Sequence, residues 1–199
     1  MRTDPKSFIP HLTKRLEYYE GDKVFLTSSN EDDVLLGQEG APAVYEAINF
    51  LQQNRTALKP LQWNDGLAVA AYDHCKDAAT KGSDGNFWLD ITTPEERLKR
   101  YGTVRGFTAE NLVYGKNIAT EIVLDLLIDD GSWNRGHRRN MLSQTFIETG
   151  IAFCPHDSQL KYLADIFYAE DFFVDSRGSK RIEKVSEARQ RIQYKTPHN

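Results

Sequence analysis

The hydrophobic pattern of this chain changes period once, and that change limits the fold more than any other feature. Up to about residue 128 the apolar positions recur at helical spacing, and after it they fall in short β-rich runs. Ala43, Ile48 and Leu51 predict an amphipathic helix over 42–56, with Pro42 in the first turn, where no backbone donor is needed. Asn64 is placed to cap a second helix that carries Leu67, Ala70, Ala71, His74, Cys75 and Ala78 and ends near Gly82. Thr93-Pro94-Glu95-Glu96 opens a short third helix. There Thr93 can accept from the backbone of Glu96, whose side chain can reach back. GTVRGF (102–107) reads as a loop leading through Glu110-Asn111 into a fourth helix. Ile118, Ile122, Leu126 and Ala119, Val123, Leu127 form two adjacent stripes on that helix, and Gly131 stops it. GIAFCP (150–155) and KYLADIFYAEDFF (161–173) predict an antiparallel hairpin that turns at His156-Asp157-Ser158. Helices first and strands last predict an α+β layered domain, not a doubly wound parallel sheet.

This domain is expected over 40–175, between an N-terminal extension (1–39) and a basic C-terminal arm (176–199). In the extension Phe8, Ile9, Leu12, Leu16 and Tyr19 can line one side of a short helix despite Pro10, and SSNEDD (28–33) is a polar loop. The arm holds seven Lys/Arg against two Glu, a net of +5 that leaves the rest of the chain at −9. An acidic body with a basic arm points to a partner more than to a fold. Ile182, Val185, Arg189 and Ile192 give the arm helical spacing, as if it needed a surface to lie on. Arg177, Lys180, Arg181, Lys184, Arg189 and Arg191 are the candidate partner-binding residues.

Composition excludes some classes. No apolar run approaches the length of a membrane span. MRTDPKSFIPHLTKRLEYYE is charged throughout and lacks the apolar stretch of a secretory signal, so an intracellular location is expected unless a removed segment precedes this numbering. Two cysteines, Cys75 and Cys154, cannot make the staple network of a small secreted domain. A single bridge between them is possible, but each is expected to serve as a small buried apolar residue. Asn54-Arg55-Thr56 is a glycosylation sequon of a kind common by chance.

Chemistry has few candidates. The sequence contains no GxSxG, HExxH, CxxC or GxGxxG, and no phosphate-cradling glycine loop. The richest polar segment is DDGSWNRGHRRN (129–140). Its His137 is flanked by Arg135, Arg138 and Arg139, which can clamp an anion but more often pair with acids of their own chain. His137 itself reads first as a structural histidine. Trp133 lies within that segment, and with Trp88 it reads as a ligand-facing pair or, more usually, as a buried or capping side chain.

WNDGLAVAAYDH (63–74), ERLKRYG (96–102), AENLVYG (109–115), LLIDDGSWNRGHRRNML (126–142) and GIAF (150–153) occur in that order. Together they resemble the CAP superfamily of cysteine-rich secretory proteins, antigen 5 and pathogenesis-related 1, also called SCP domains. The IDDG…RGHRxN form is similar to the bacterial and microbial-eukaryote branch. The resemblance implies an α-β-α sandwich with a central antiparallel sheet. It also implies a cleft of two histidines and two acids able to hold a divalent cation such as zinc. Carried over by position, Glu110 matches the acid of the ENL element, His137 the histidine of the GHR element, and Asp130 most nearly the second acid. The first histidine belongs in the region of GSDGNFWLDI (82–91), which has none. His74 matches a packed helix position, and His156 lies in the hairpin turn.

One imidazole with two carboxylates is a poor zinc site, so no cofactor is expected. If any metal binds, it would use Glu110, Asp130 and His137; otherwise Glu110 and His137 are expected to hydrogen-bond to each other. The expected function is therefore a non-catalytic CAP-domain protein, a protein-binding or structural subunit of a larger assembly. Its partner would be another protein, including an acidic polymer of the cytoskeletal or ciliary kind, and not nucleic acid. The alternatives are a lipid or small-ligand carrier and a metal-assisted hydrolase.

Overall fold

The structure, a computed structural model, describes residues 1–20, 23–25, 34–53, 56–81, 93–156 and 161–193. In chain order the elements begin with a 3-10 turn (Pro5–Phe8), helix α1 (Ile9–Arg15) and a second 3-10 turn (Leu16–Tyr18). Strands β1 (Tyr19–Glu20), β2 (Lys23–Phe25) and β3 (Val34–Leu36) follow, then α2 (Ala41–Gln53), β4 (Gln62–Trp63), α3 (Asp65–Lys81) and α4 (Pro94–Lys99). The remainder is β5 (Gly102–Tyr114), α5 (Ala119–Ile128), α6 (Gly136–Met141), β6 (Glu148–Pro155), β7 (Tyr162–Val174) and α7 (Ser176–Gln193). The mixture of helices with a four-stranded sheet is the α+β class that the pattern predicts. The polar loop at 28–33, the sequon's Asn54 and Arg55, and the segment GSDGNFWLDI (82–91) with its Trp88 lie outside the described residues.

Two compact units share the chain. Unit 1 comprises Met1–Pro60 and Asn117–Gln144, and unit 2 comprises Leu61–Lys116 and Thr145–Asn199.

Unit 1 is helical, with a small antiparallel meander β1-β2-β3. α2 forms close to where the spacing places it, burying Ala43, Val44, Ala47 and Leu51. α1 packs on α2 through the fully buried Leu12. The expected extension thus contributes core to this unit. Arg15 of α1, a buried charge, pairs with Glu121 at 2.6 Å and Asp125 at 3.2 Å on α5. α5 is shorter than its two stripes suggest. Ile118 is the exposed residue before the helix, and burial concentrates on Leu124, Leu126, Leu127 and Ile128. The helix ends before Gly131, because Asp129 already adopts the left-handed conformation (φ 53°), which aspartate tolerates better than most residues.

Unit 2 is built on the sheet β4-β6-β7-β5. The hairpin of β6 and β7 has its expected antiparallel pairing, closed by the His156 amide donating to the Lys161 carbonyl at 2.7 Å. The sheet departs from pure antiparallel order at one edge, where β4 runs parallel to β6. The larger correction is β5. The segment read as a loop before Glu110 is a thirteen-residue strand paired along β7, with an irregularity between Arg105 and Thr108. Gly102, Gly106 and that irregularity break the alternation that identifies a strand.

α3 begins where Asn64 caps it, its side-chain oxygen accepting from the Gly66 amide at 2.9 Å. It lies close on the sheet at Gly150, where any Cβ would meet the backbone of Leu67 and Ala68. The capping box of α4 is complete: the Glu96 amide donates to Thr93 Oγ1 at 3.2 Å, and the Thr93 amide to Glu96 Oε2 at 2.7 Å. The core joins Leu67, Ala70 and Ala71 of α3 to Leu163, Phe167 and Ala169 of β7, with Leu98 and Tyr101 beside them. Ile182 and Val185 of α7 pack against the same cluster, so the arm lies on its own domain. Within that core Cys75 of α3 and Cys154 of β6 form a disulfide, with Cα atoms 6.1 Å apart. This corrects the expectation of two separate buried thiols: seventy-nine residues of sequence separation conceal a contact made by helix-on-sheet packing.

Candidate functional site

In unit 1 the signature segment DDGSWNRGHRRN is a lattice of internal bonds. Asp129 Oδ1 meets His137 Nδ1 at 2.7 Å, while Oδ2 accepts from the His137 amide at 2.8 Å and the Arg138 amide at 3.2 Å. One carboxylate thus caps the start of α6 and orients the imidazole. Asp130 accepts from the Gln38 amide at 3.1 Å and the Glu39 amide at 2.7 Å, pinning the chain ahead of α2. Arg135 grips Glu39 with both Nη atoms, at 2.5 and 2.7 Å, and reaches Glu46 through Nε at 3.1 Å. Arg138, almost wholly buried, forks onto Glu46 at 2.8 and 2.7 Å over the Phe50 ring. Trp133 stands at the tip of the segment, 91% exposed.

The charges follow from these contacts. Burial alone would raise the Asp129 carboxyl, but the His137 ring and the two amides outweigh it and hold the group below its ordinary range. The Asp129 hydrogen bond raises the His137 imidazole above its ordinary 6.5, against burial. A raised imidazole stabilises fully below 6.5 and loses that contribution as pH rises through its folded value. A depressed carboxyl stabilises above 3.8 and loses its contribution as pH falls through its folded value. Their joint contribution is therefore greatest between those two ordinary values. Proton NMR titration should place His137 above 6.5, and Asp129→Asn should bring it back down. An unchanged His137 titration in that variant would contradict the pairing.

Unit 2 holds the second polar group, inside its core. Asp165 lies on β7 opposite Leu112 and Ala152, on the side of the sheet that carries Leu163 and Phe167. It is fully buried. Its Oδ2 meets His74 Nδ1 of α3 at 2.8 Å, and its Oδ1 has no hydrogen-bond partner among the described residues. Glu110 of β5 accepts from Arg97 of α4 at 2.5 Å and lies 4.0 Å from His74 Nδ1. Arg97 also sits over the Phe167 ring at 5.8 Å. An unpaired buried charge is costly, by about 1–3 kcal/mol even for a neutral polar group left without a partner. The cluster accordingly mixes two acids with an arginine and an imidazole. Burial pushes the Asp165 carboxyl up to about 7; the His74 hydrogen bond opposes this and the Glu110 charge adds to it.

The residues carried over from the resemblance fall in both units. Asp130 and His137 belong to unit 1 and are bonded as described there. Glu110 belongs to unit 2, with Arg97 and His74. The sequence placed His74 as a packed helix residue and gave no role to Arg97 or Asp165. Asp165 carried a readable signal: it is a lone carboxylate at an inward position of the apolar run YLADIFYA. His156 stacks edge-on with Tyr114 at 5.5 Å.

The family model for the cysteine-rich secretory protein family, CAP, matches residues 46–172. The chain belongs to the CAP family. No curated protein matches it. Among solved structures, this CAP chain is similar to an outer surface protein of Borrelia burgdorferi, with 16% identity and a TM-score of 0.46, covering 62% of this chain and 92% of that one. It is also similar to an extracellular protein containing an SCP domain from Bacillus anthracis, with 18% identity and a TM-score of 0.44. That match covers 66% of this chain and 42% of the other, so the CAP chain spans less than half of that relative's length.

Proposed function

We propose that this CAP domain is a non-catalytic module that binds another protein. The observation that carries the reading is how the signature segment spends its polar groups. Asp129, Asp130, Arg135, His137 and Arg138 each bond within unit 1, while the segment presents to solvent a large apolar side chain, Trp133, 91% exposed, with the exposed Arg139 six residues on. A rigid loop that holds a tryptophan in water has the character of an interface anchor. The basic face of α7 supports the same reading. Lys180, Arg181 and Lys184 are exposed, and Arg177, 87% exposed, pairs with Asp175. The Arg189 and Arg191 side chains lie outside what is described. A groove of about 270 Å³ beside α7 is lined by Glu96, Lys99, Arg100, Asp175, Arg177 and Arg181, a lining suited to a charged protein surface rather than an acyl chain.

The Cys75–Cys154 bridge favours an oxidising compartment over the cytoplasm. That in turn favours an extracellular or lumenal partner over a cytoskeletal polymer. The test is isolation of the chain from its own cell, followed by native mass measurement, comparing wild type with Trp133→Ala and with Lys180→Glu/Arg181→Glu/Lys184→Glu. A stoichiometric complex weakened by either variant supports the module. A free monomer in all three preparations overturns it.

A further inference from the structure

We propose that the open edge of β6 is a dimerisation surface, on which a second copy of this chain pairs its own β6 antiparallel about a two-fold axis through Ala152. Backbone direction defines the edge. The Asn64 amide, just after β4, donates to the Thr149 carbonyl at 2.9 Å, so Thr149 turns toward β4. The His156 amide donates across the hairpin to the Lys161 carbonyl at 2.7 Å, so the even-numbered positions of β6 face β7. Successive residues of a strand alternate, and Ile151 and Phe153 therefore direct their amides and carbonyls to the β4 side. β4 ends at Trp63, opposite Thr149, and does not reach them. Among the described residues nothing bonds to those backbone groups. The Ile151 and Phe153 side chains are 43% and 46% exposed, whereas Ala152 and Cys154 are buried.

Length, charge and contrast select a copy of the same strand as the occupant. β4 blocks the edge up to Thr149, and Pro155, which has no amide, ends it on the other side. The free stretch is 150–154, with Ala152 at its centre. A two-fold axis there sets Ile151 opposite Phe153 of the copy, and each such pair exchanges amide and carbonyl bonds. Every open group at the two positions is then satisfied by the other strand, and the copy's Pro155 leaves the edge where β4 occupies it. No side chain from Thr149 to Pro155 is charged, so no like charges meet across the axis. The exposed Trp63, opposite Thr149, continues the apolar strip on the same face. The opposite edge strand, β5, is guarded by Arg105, by the register irregularity beside Gly106 and by the inward charge of Glu110, devices that keep an edge from pairing. The stretch 150–154 has none of them. A strand pair this short falls below the standard interface of about 1,200–2,000 Å², so the dimer should be weak and concentration-dependent. Neither Trp133 nor the basic residues of α7 take part, so this dimer stands independently of the module's protein partner.

Sedimentation equilibrium of the purified full-length chain, from about 1 μM to about 1 mM, should show a reversible monomer–dimer equilibrium. Ile151→Lys/Phe153→Lys sets lysine against lysine across the axis and should weaken association by about ten-fold or more. Ile151→Lys/Phe153→Glu sets lysine against glutamate in both pairs and should associate about ten-fold more tightly than the double-lysine variant. The two variants lose the same apolar surface, so the difference between them reads the register. Both change exposed side chains, and far-UV circular dichroism checks their folding. Should either fail that check, amide hydrogen exchange of the wild type at low and high concentration reads the same contact: the Ile151 and Phe153 amides should slow as the dimer forms. A monomer at every concentration, which would leave the edge to a segment of some other protein, overturns the dimer. So does equal association in the two variants, or protection that rises with concentration elsewhere and not at these amides.

Discussion

Arg138→Ala is expected to destabilise unit 1 by about 3–5 kcal/mol, the range for breaking a buried charged network by removing one partner. The magnitude follows from what the guanidinium touches. Its Nε and Nη2 donate to the carbonyls of Leu127 and Ile128, the last turn of α5, which have no intrahelical donor of their own. A cation there also suits the negative end of the helix. Its two Nη atoms fork onto Glu46 of α2, and its face covers Phe50. Glu46 is 45% exposed at the side chain, so screening trims the ion pair itself. The greater part of the loss comes from the stranded carbonyls and the vacated core volume. Arg138→Lys keeps the charge but cannot serve two carbonyls and a fork together, so it should recover about half of the loss or less. Amide hydrogen exchange along α5 is the local readout. A change below about 1 kcal/mol in Arg138→Ala would show that α5 is held by apolar packing alone.

The same residue shows what the sequence can and cannot reveal. The motif around Arg138 reads directly as the family signature, and its arginines read as partners for acids. Which acids was hidden: Glu46 lies ninety-two residues away, and only the packing of α2, α5 and α6 joins them. Elements with local signals were legible. Asn64 and the Thr93–Glu96 box announce their helices through short-range hydrogen bonds, and the β6–β7 hairpin through β-branched and aromatic runs. β5 was not, because Gly106 and the register irregularity interrupt it and because Glu110 is a charge on the face that packs on α3 and α4. The cluster in unit 2 was half legible for a related reason. Asp165 is visibly out of place in an apolar strand, but His74 and Arg97 become its neighbours only when α3 and α4 close over the sheet.

Removing the Cys75–Cys154 bridge, by Cys75→Ala/Cys154→Ala or by reductant, should lower stability by about 2–4 kcal/mol. The bridge closes a loop spanning seventy-nine residues of separation. The chain-entropy relation for such a loop gives about 4.5 kcal/mol, an upper figure, because the unfolded chain is more compact than the relation assumes. The packing cost is small in comparison, since both side chains already lie in the main core and alanine leaves little void. The effect should fall on α3, which the bridge ties to β6, and not on the helices of unit 1. Denaturant unfolding with and without reductant measures the total, and hydrogen exchange of α3 against α5 locates it. Equal loss of protection in both helices would contradict a local clip. If reduction leaves the midpoint unmoved, the two thiols serve only as apolar filler and the argument for an oxidising compartment goes with them. If the midpoint falls as expected, a reducing cytoplasm would deprive unit 2 of a substantial part of its margin, since domains hold only about 5–15 kcal/mol in all.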